Sequence, residues 1–511
     1  MDREPVLPSF QIQLRKTVTG LTHSHENGEP NEDTPLLNNG HVVQNGNGFA
    51  NHHEHSGGAW EFFFDANHTP GTDNPKPWVK YPAHTWHITK ATLLSSPVNI
   101  LLVAVPIGIV AGQAGWDPVA VFVINFFAII PLAAVLSFAT EEISVKLGEA
   151  LGGLLNATFG NAVELIVSII ALRDRQIEVV KSSMIGSILS NLLLVMGMCF
   201  FFGGIVNMRD EAGRGQEQSF QSITAQTTAS LMTLSAASMI LPGTLFMIIN
   251  HNSEEDNREE RNQIVLSLSR GTAIILLLLY VLYLWFQLRT HHELFCAEAG
   301  TTPEPTQNGV TQLPNEAAAD IIQHASVQDD DDEESEEEEE QHMSPWSAGA
   351  VLIVTTVLVA ICADYLVDSI DALVERAHIS RSFIGLILIP IVGNAAEHVT
   401  AVVVAVKNKM DLAMGVAIGS SLQIALFVTP FLVVLGWIMN RDMDLHFETF
   451  ETVSFALAVL VVIYTVQDGK SNYLEGAMLM ALYVIIALAF FVTPSQYFST
   501  EWAVGQLDVT G

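Results

Sequence analysis

Two glutamates stand inside long apolar stretches of this chain. Glu164 lies in "GNAVELIV" (160–167) and Glu397 in "GNAAEHVT" (393–400). In each motif Asn and Glu are three apart, Asn161 with Glu164 and Asn394 with Glu397, which sets them on one helix face. A carboxylate at bilayer depth costs about 2.5–3.5 kcal/mol on insertion scales, so it is tolerated when paired, protonated or bound to an ion. Gly160 and Gly393 favour local unwinding, which frees backbone carbonyl oxygens. Two carboxylates, two amide side chains and several carbonyls make an all-oxygen donor set. Such a set suits a hard divalent cation, Ca²⁺ above all, which takes six to eight oxygens. No Cys or His cluster argues for a softer metal.

Further polar groups follow each motif: Ser187, Ser190 and Asn191 after the first, Ser420, Ser421 and Gln423 after the second. Helix packing is the plain alternative for each of these, because small polar residues line membrane helix contacts. Glu141 and Glu142 close a preceding apolar stretch. Asp364 sits in another, with Asp368 and Asp371 on about the same face. These acids read as a proton or cation path, with helix-end salt bridges as the rival reading. His398 follows Glu397 and is placed to tune the metal or carry protons.

A carboxyl out of water favours its neutral form unless a cation lies beside it. Protons and a divalent cation therefore compete for Glu164 and Glu397. If the empty, doubly charged site does not reorient across the membrane, exchange is obligatory. No Walker A or phosphorylation-type aspartate motif stands out, so the reading is an ion transporter rather than an enzyme, with no cofactor.

The elements that must position these residues are membrane helices. Of 511 residues 49% are hydrophobic and 15% charged, against roughly 25% charged in soluble domains, and the mean hydropathy is +0.35. Eleven apolar stretches are long enough to span about 30 Å of hydrocarbon. They lie near 94–114, 118–140, 154–172, 183–206, 226–249, 266–288, 347–374, 383–406, 411–438, 446–466 and 474–493. The two motifs stand 233 positions apart, and the same offset pairs Glu178 with Asp411, Gly186 with Gly419 and Ser187 with Ser420. Five spans separate the motifs, so their helices cross in opposite directions. The expected fold is an all-α polytopic membrane protein of eleven helices. One N-terminal helix (91–117, with a regulatory role open to it) precedes two inverted five-helix repeats, 118–288 and 347–495.

The remaining segments read as solvated. Residues 1–90 form a polar tail with scattered histidines and a Glu32-to-Leu37 acidic dileucine pattern, and 496–511 a C-terminal tail. The loop 289–346 holds "DDDDEESEEEEE", eleven acids in twelve positions, and accounts for much of the net charge of −33. Lys76, Lys80 and Lys90 before the first span favour a cytosolic N-terminus, and the acidic loop is placed on the same side. The three cysteines, Cys199, Cys296 and Cys362, show no paired spacing.

The stretches "LGGLLNATFGNAVELIVSIIAL", "GSILSNLLLVMG" and "GNAAEHVTAVVVAVKNKMDLAMGVAIGSSLQIALFVTP" closely resemble the Ca²⁺/H⁺ exchangers of fungal and plant vacuoles, within the Ca²⁺/cation antiporter superfamily. The likeness covers residues 85–495. It implies a multi-pass vacuolar membrane protein that moves cytosolic Ca²⁺ into an acidic lumen in exchange for H⁺, with Glu164 and Glu397 as central ligands and Mn²⁺ as a secondary substrate. At Asp364 the resemblance leads one to expect the longer Glu. The alternative on the same scaffold is a Na⁺/Ca²⁺ or other cation exchanger. Partners are then the ions, membrane lipid and, in an unspecified state, further copies of the chain; nothing points to nucleic acid.

Overall fold

The arrangement of elements was obtained from a computed structural model, which describes residues 69, 72, 75–210, 213–252, 258–291 and 343–493. The dileucine pattern, Cys296 and the acid run lie outside them. Apolar composition makes nearly all of the described chain helical, since a backbone in hydrocarbon must satisfy its own hydrogen bonds. In order the elements begin with α1 (Pro77–Leu94), a 3₁₀ stretch Pro97–Val103 leading into α2 (Ala104–Gln113), α3 (Pro118–Phe159) and α4 (Ala162–Arg173). Then come α5 (Ile177–Leu189), α6 (Met196–Val206), α7 (Ser222–Asn252) and α8 (Arg258–Trp285). The second half holds α9 (Pro345–Asp368), α10 (Ile370–Ala377), α11 (Arg381–Phe383), α12 (Ile389–Gly393) and α13 (Ala395–Val406). It ends with α14 (Met410–Gln423), α15 (Thr429–Ile438), α16 (Thr449–Thr465) and α17 (Tyr473–Val492). Two short strands, β1 (Gln218–Ser219) and β2 (Lys470–Ser471), pair antiparallel.

Among the described residues, seven helical stretches are long and apolar enough to cross a membrane, or nine if each bent pair counts as one. The 42 residues of α3 are not one straight rod. A Cβ on Gly152 would stand 2.4 Å from the Ser144 carbonyl oxygen, whereas residues eight apart in a straight helix are about 12 Å apart along the axis. The chain turns back there, and Ala162 packs beside Leu136 and Ala139. The sequence expectation of a tail up to residue 90 also changes, because α1 begins at Pro77, whose ring presets a first-turn φ and whose missing N–H costs nothing there.

Long-range contacts sort the loops into two ends. At the first end Asp117 pairs with Arg376, Lys181 with Asp444 at 2.5 Å, and Arg441 donates to the Arg173 carbonyl at 2.8 Å. At the second end, besides the strand pair, Gln218 Nε2 donates to Ala405 O at 3.0 Å and Asn207 Nδ2 to Val406 O at 3.2 Å. Thus α4 runs toward the first end, where Arg173 lies, and α13 runs away from it. Exposed aromatic residues mark both levels, Trp116 and Trp437 at the first end, Trp285, Trp346, Tyr464 and Tyr473 at the second. Amphipathic rings of this kind settle at headgroup depth.

Local structure repeats with the sequence offset. The 12 residues of α4 correspond to the 12 of α13. Each is followed by a left-handed residue, Arg175 (φ 62°) and Asn408 (φ 63°). A wider, π-type turn follows α5 at Ser190–Val195 and α14 at Ile424–Val428. The stretches Ile177–Val206 and Met410–Ile438 are 72% and 67% buried, against 28% for α17, so they form the centre of the bundle. There α5 crosses the turn before α12 at backbone contact: a Cβ on Gly186 would meet the Leu386 carbonyl oxygen at 2.2 Å. Close approach of this sort is how membrane helices gain packing without a hydrophobic drive.

Candidate cation site between two broken helices

The two Gly-Asn motifs break their helices at the asparagine. Asn161 has φ −100°, ψ 28° and Asn394 φ −92°, ψ 4°, while Gly160 keeps helical angles of −54° and −46°. The halves on either side of Asn394 meet at 58°. The glycines sit at the breaks rather than carrying the non-helical angles: Gly160 caps α3 with helical angles and Gly393 closes α12. Gly393 serves by having no side chain. A Cβ there would lie 2.4 Å from Glu164 Oε1, so the first motif's carboxylate rests on the second motif's backbone.

Glu164 is 3% exposed, and neither of its carboxylate oxygens has a hydrogen-bond partner. Glu397 likewise has an unpartnered buried oxygen, Oε2, and the Ser420 hydroxyl lies within hydrogen-bonding reach of its carboxylate. The two glutamates are close enough to repel each other. Asn161 Oδ1, both polar atoms of Asn394, both of Asn191, and Ser187 Oγ are also buried without partners. Buried polar atoms are rarely left so, each costing about 1–3 kcal/mol. Most of these atoms are oxygens, and they are carried by the break before α4, by α4, by α5 and the π-type turn after it, and by the break before α13 and α13. A small cavity reaches Glu164 and Gly393 past Ile129, Val163, Val167, Leu366, Ile389 and Val392. Its lining is otherwise apolar, which holds water away from the carboxylate.

Two residues placed on the margin of the site by sequence turn out to brace it. Gln423 Oε1 accepts a 2.7 Å hydrogen bond from Asn161 Nδ2. That bond fixes the amide so that Asn161 Oδ1 is left over. His398 Nε2 lies 3.2 Å from Ser190 Oγ, joining α13 to the π-type turn after α5.

Other expected residues lie elsewhere. Asp364 pairs with Arg173 at 2.5 Å. Arg173 stands nine residues beyond Glu164 on α4, about 13 Å along the helix. Asp371 accepts from Gln176 at 3.1 Å and pairs with Arg381 at 3.0 Å. These are ion pairs near the helix ends, the rival reading stated above. Glu142 accepts from the Met343 N–H at 3.2 Å and tethers the start of α9, and Glu141 is exposed at the same second end. Among the described residues no group of three or more His, Cys, Asp or Glu is arranged to hold a metal.

A second acidic group was not anticipated. At the first end Ser182 donates to Glu451, and Ser382 donates to Glu178 at 3.3 Å and Glu448 at 3.5 Å. Burial, with Glu451 and Glu178 alongside, pushes the carboxyl of Glu448, just before α16, up to about 8. The sequence signal was the Glu448–Glu451 spacing at the start of an apolar span.

The sequence profile described as "Sodium/calcium exchanger protein" matches residues 118–289 and 347–492. The chain is 46% identical over 407 residues to the vacuolar calcium ion transporter of Schizosaccharomyces pombe, which covers 80% of this chain and 87% of that protein. It is 43% identical over 394 residues to the Ca²⁺/H⁺ antiporter of Aphanothece halophytica, covering 77% and 96%. Among solved structures, native YfkE matches with a TM-score of 0.59 at 33% identity, covering 78% of this chain and 100% of that one. The H⁺/Ca²⁺ exchanger CAX matches with a TM-score of 0.52 at 11% identity, a likeness of fold.

Proposed function

The chain belongs to the sodium/calcium exchanger protein family, and on that premise we propose that it exchanges cytosolic Ca²⁺ for lumenal H⁺ across the vacuolar membrane. The observation that carries this reading is the buried Glu164 carboxylate, unpartnered at both oxygens and seated on Gly393 of the opposite motif. A carboxylate held dry without a partner suits a cargo that supplies the missing charge. Ca²⁺ does so by ligation, and a proton does so by neutralising the group.

In this reading Glu164 and Glu397 are the competed groups. Asn161 and Asn394 supply amide oxygens, while Ser187 and Ser420 add hydroxyls. Asn191 is buried without a partner in the π-type turn after α5. Mn²⁺, a smaller hard cation, is a secondary cargo. Eleven spans, reached by adding Thr449–Thr465 and the returning end of α3 with α4 to the nine, form one leading helix and two inverted five-helix repeats. The opposite directions of α4 and α13 and the recurring boundaries support that arrangement. The second end, where α8 closes and α9 opens, faces the cytosol in this reading, the side to which the sequence assigns the acidic loop and the N-terminus. Alternating access then exposes the loaded site to one side at a time.

The test is uptake of radioactive Ca²⁺ into proteoliposomes with an imposed pH gradient, inside acidic. Uptake should follow the gradient and collapse with a protonophore. Uptake indifferent to the pH gradient but driven by a Na⁺ gradient would overturn H⁺ coupling in favour of Na⁺.

A further inference from the structure

The exchange reading leaves α1 without a task. It meets the next helical stretch, Pro97–Gln113, at 112°. With that stretch along the membrane normal, α1 lies about 22° from the bilayer plane. Gln113 leads to Asp117 at the first end, so α1 sits at the second end.

One stripe of α1 is turned inward, with Ala83, Lys90 and Ala91 buried. The outward side carries Trp78, 90% exposed, and Tyr81, 70% exposed, with exposed Lys80 and His84 between and beside them. Water is a poor solvent for the two rings, and hydrocarbon is a poor one for Lys80. The headgroup layer serves both. Exposed Trp285, Trp346, Tyr464 and Tyr473 mark that layer at the same end. The segment from Lys76 to Leu94 exposes Lys76 and Lys80 and contains no Asp or Glu, so its outward charge matches an anionic surface.

We propose that α1 is an interfacial anchor that lies in the headgroup layer of the second-end leaflet and takes anionic phospholipid, with Lys80 at the headgroups and Trp78 and Tyr81 at the acyl boundary.

The experiment uses the full chain with Cys199, Cys296 and Cys362 replaced by Ala. Trp78→Cys, Tyr81→Cys and Thr85→Cys are each nitroxide-labelled and reconstituted in phosphatidylcholine vesicles, with or without about three parts in ten phosphatidylserine. Collisional access to a water-soluble nickel complex and to oxygen is read by power saturation. Labels at 78 and 81 should show nickel access several-fold below that of free nitroxide, with oxygen access raised. Phosphatidylserine should lower nickel access further, and Lys80→Gln should remove that extra drop. Nickel access equal to that of free nitroxide would overturn the anchor. Protection from both quenchers would instead mean that another protein segment or a second copy covers the face. Equal depth in both lipids would overturn the anionic preference. The measurement reads no transport, so it stands or fails apart from the cargo.

Discussion

Glu164, on the first motif, lies against Gly393, which opens the second: a Cβ on Gly393 would be 2.4 Å from Glu164 Oε1 and 2.8 Å from its carboxyl carbon. The two halves of the chain thus share one site at a point where a single added methyl has nowhere to go. Gly393→Ala should therefore push the Glu164 carboxylate aside. The KM for Ca²⁺ in proteoliposome uptake should rise at least about tenfold, or about 1.4 kcal/mol. Gly415→Ala, which meets nothing within 4 Å, should leave it unchanged. Equal effects of the two substitutions would show that the contact does not matter to binding.

Glu164→Gln and Glu397→Gln keep the shape of each side chain and remove its charge. Each should lower Ca²⁺ uptake by about a hundredfold or more, about 2.8 kcal/mol, while the protein stays monodisperse. Normal transport by either variant would remove that glutamate from the site.

Gln423→Leu leaves the Asn161 amide without its 2.7 Å partner. A buried donor left unpaired costs about 1–3 kcal/mol, and freeing the amide lets its NH₂ rather than its oxygen face the site. Ca²⁺ affinity should fall by about tenfold, with partial recovery in Gln423→Glu, which restores the acceptor. Unchanged affinity in the leucine variant would mean that Asn161 is oriented by something else.

Asp364→Asn breaks a half-exposed ion pair with Arg173. Exposed pairs contribute about 0–1 kcal/mol, so melting should shift slightly and the KM for Ca²⁺ should hold. A large rise in KM would restore Asp364 to the ion path.

Glu448 gives a pH dependence at the first end. Its carboxyl is pushed up to about 8 from an ordinary 4.5, so the folded protein holds this proton more tightly than the unfolded chain does. The linked stability is complete below about pH 4.5 and is lost as pH rises toward 8. Melting temperature in detergent should fall across that window, and Glu448→Gln should flatten the fall. An identical slope in the variant would assign the dependence to other groups.

The amino-acid sequence by itself determined the membrane class, the two Gly-Asn-x-x-Glu motifs and their 233-residue offset. Those features are local or compositional: hydrophobic runs set span positions, and a three-residue spacing sets a helix face. Tertiary structure alone decided that Asn161 and Asn394 carry the break while Gly393 makes room for Glu164. It also decided that Gln423 holds Asn161, that Asp364 turns to Arg173, that α3 folds back at Ser144–Gly152, and that α1 bends away from the spans. Each depends on which atoms far apart in the chain come within a few ångströms of one another. No window of sequence contains that information, because close packing and the pairing of buried polar groups are properties of the assembled bundle.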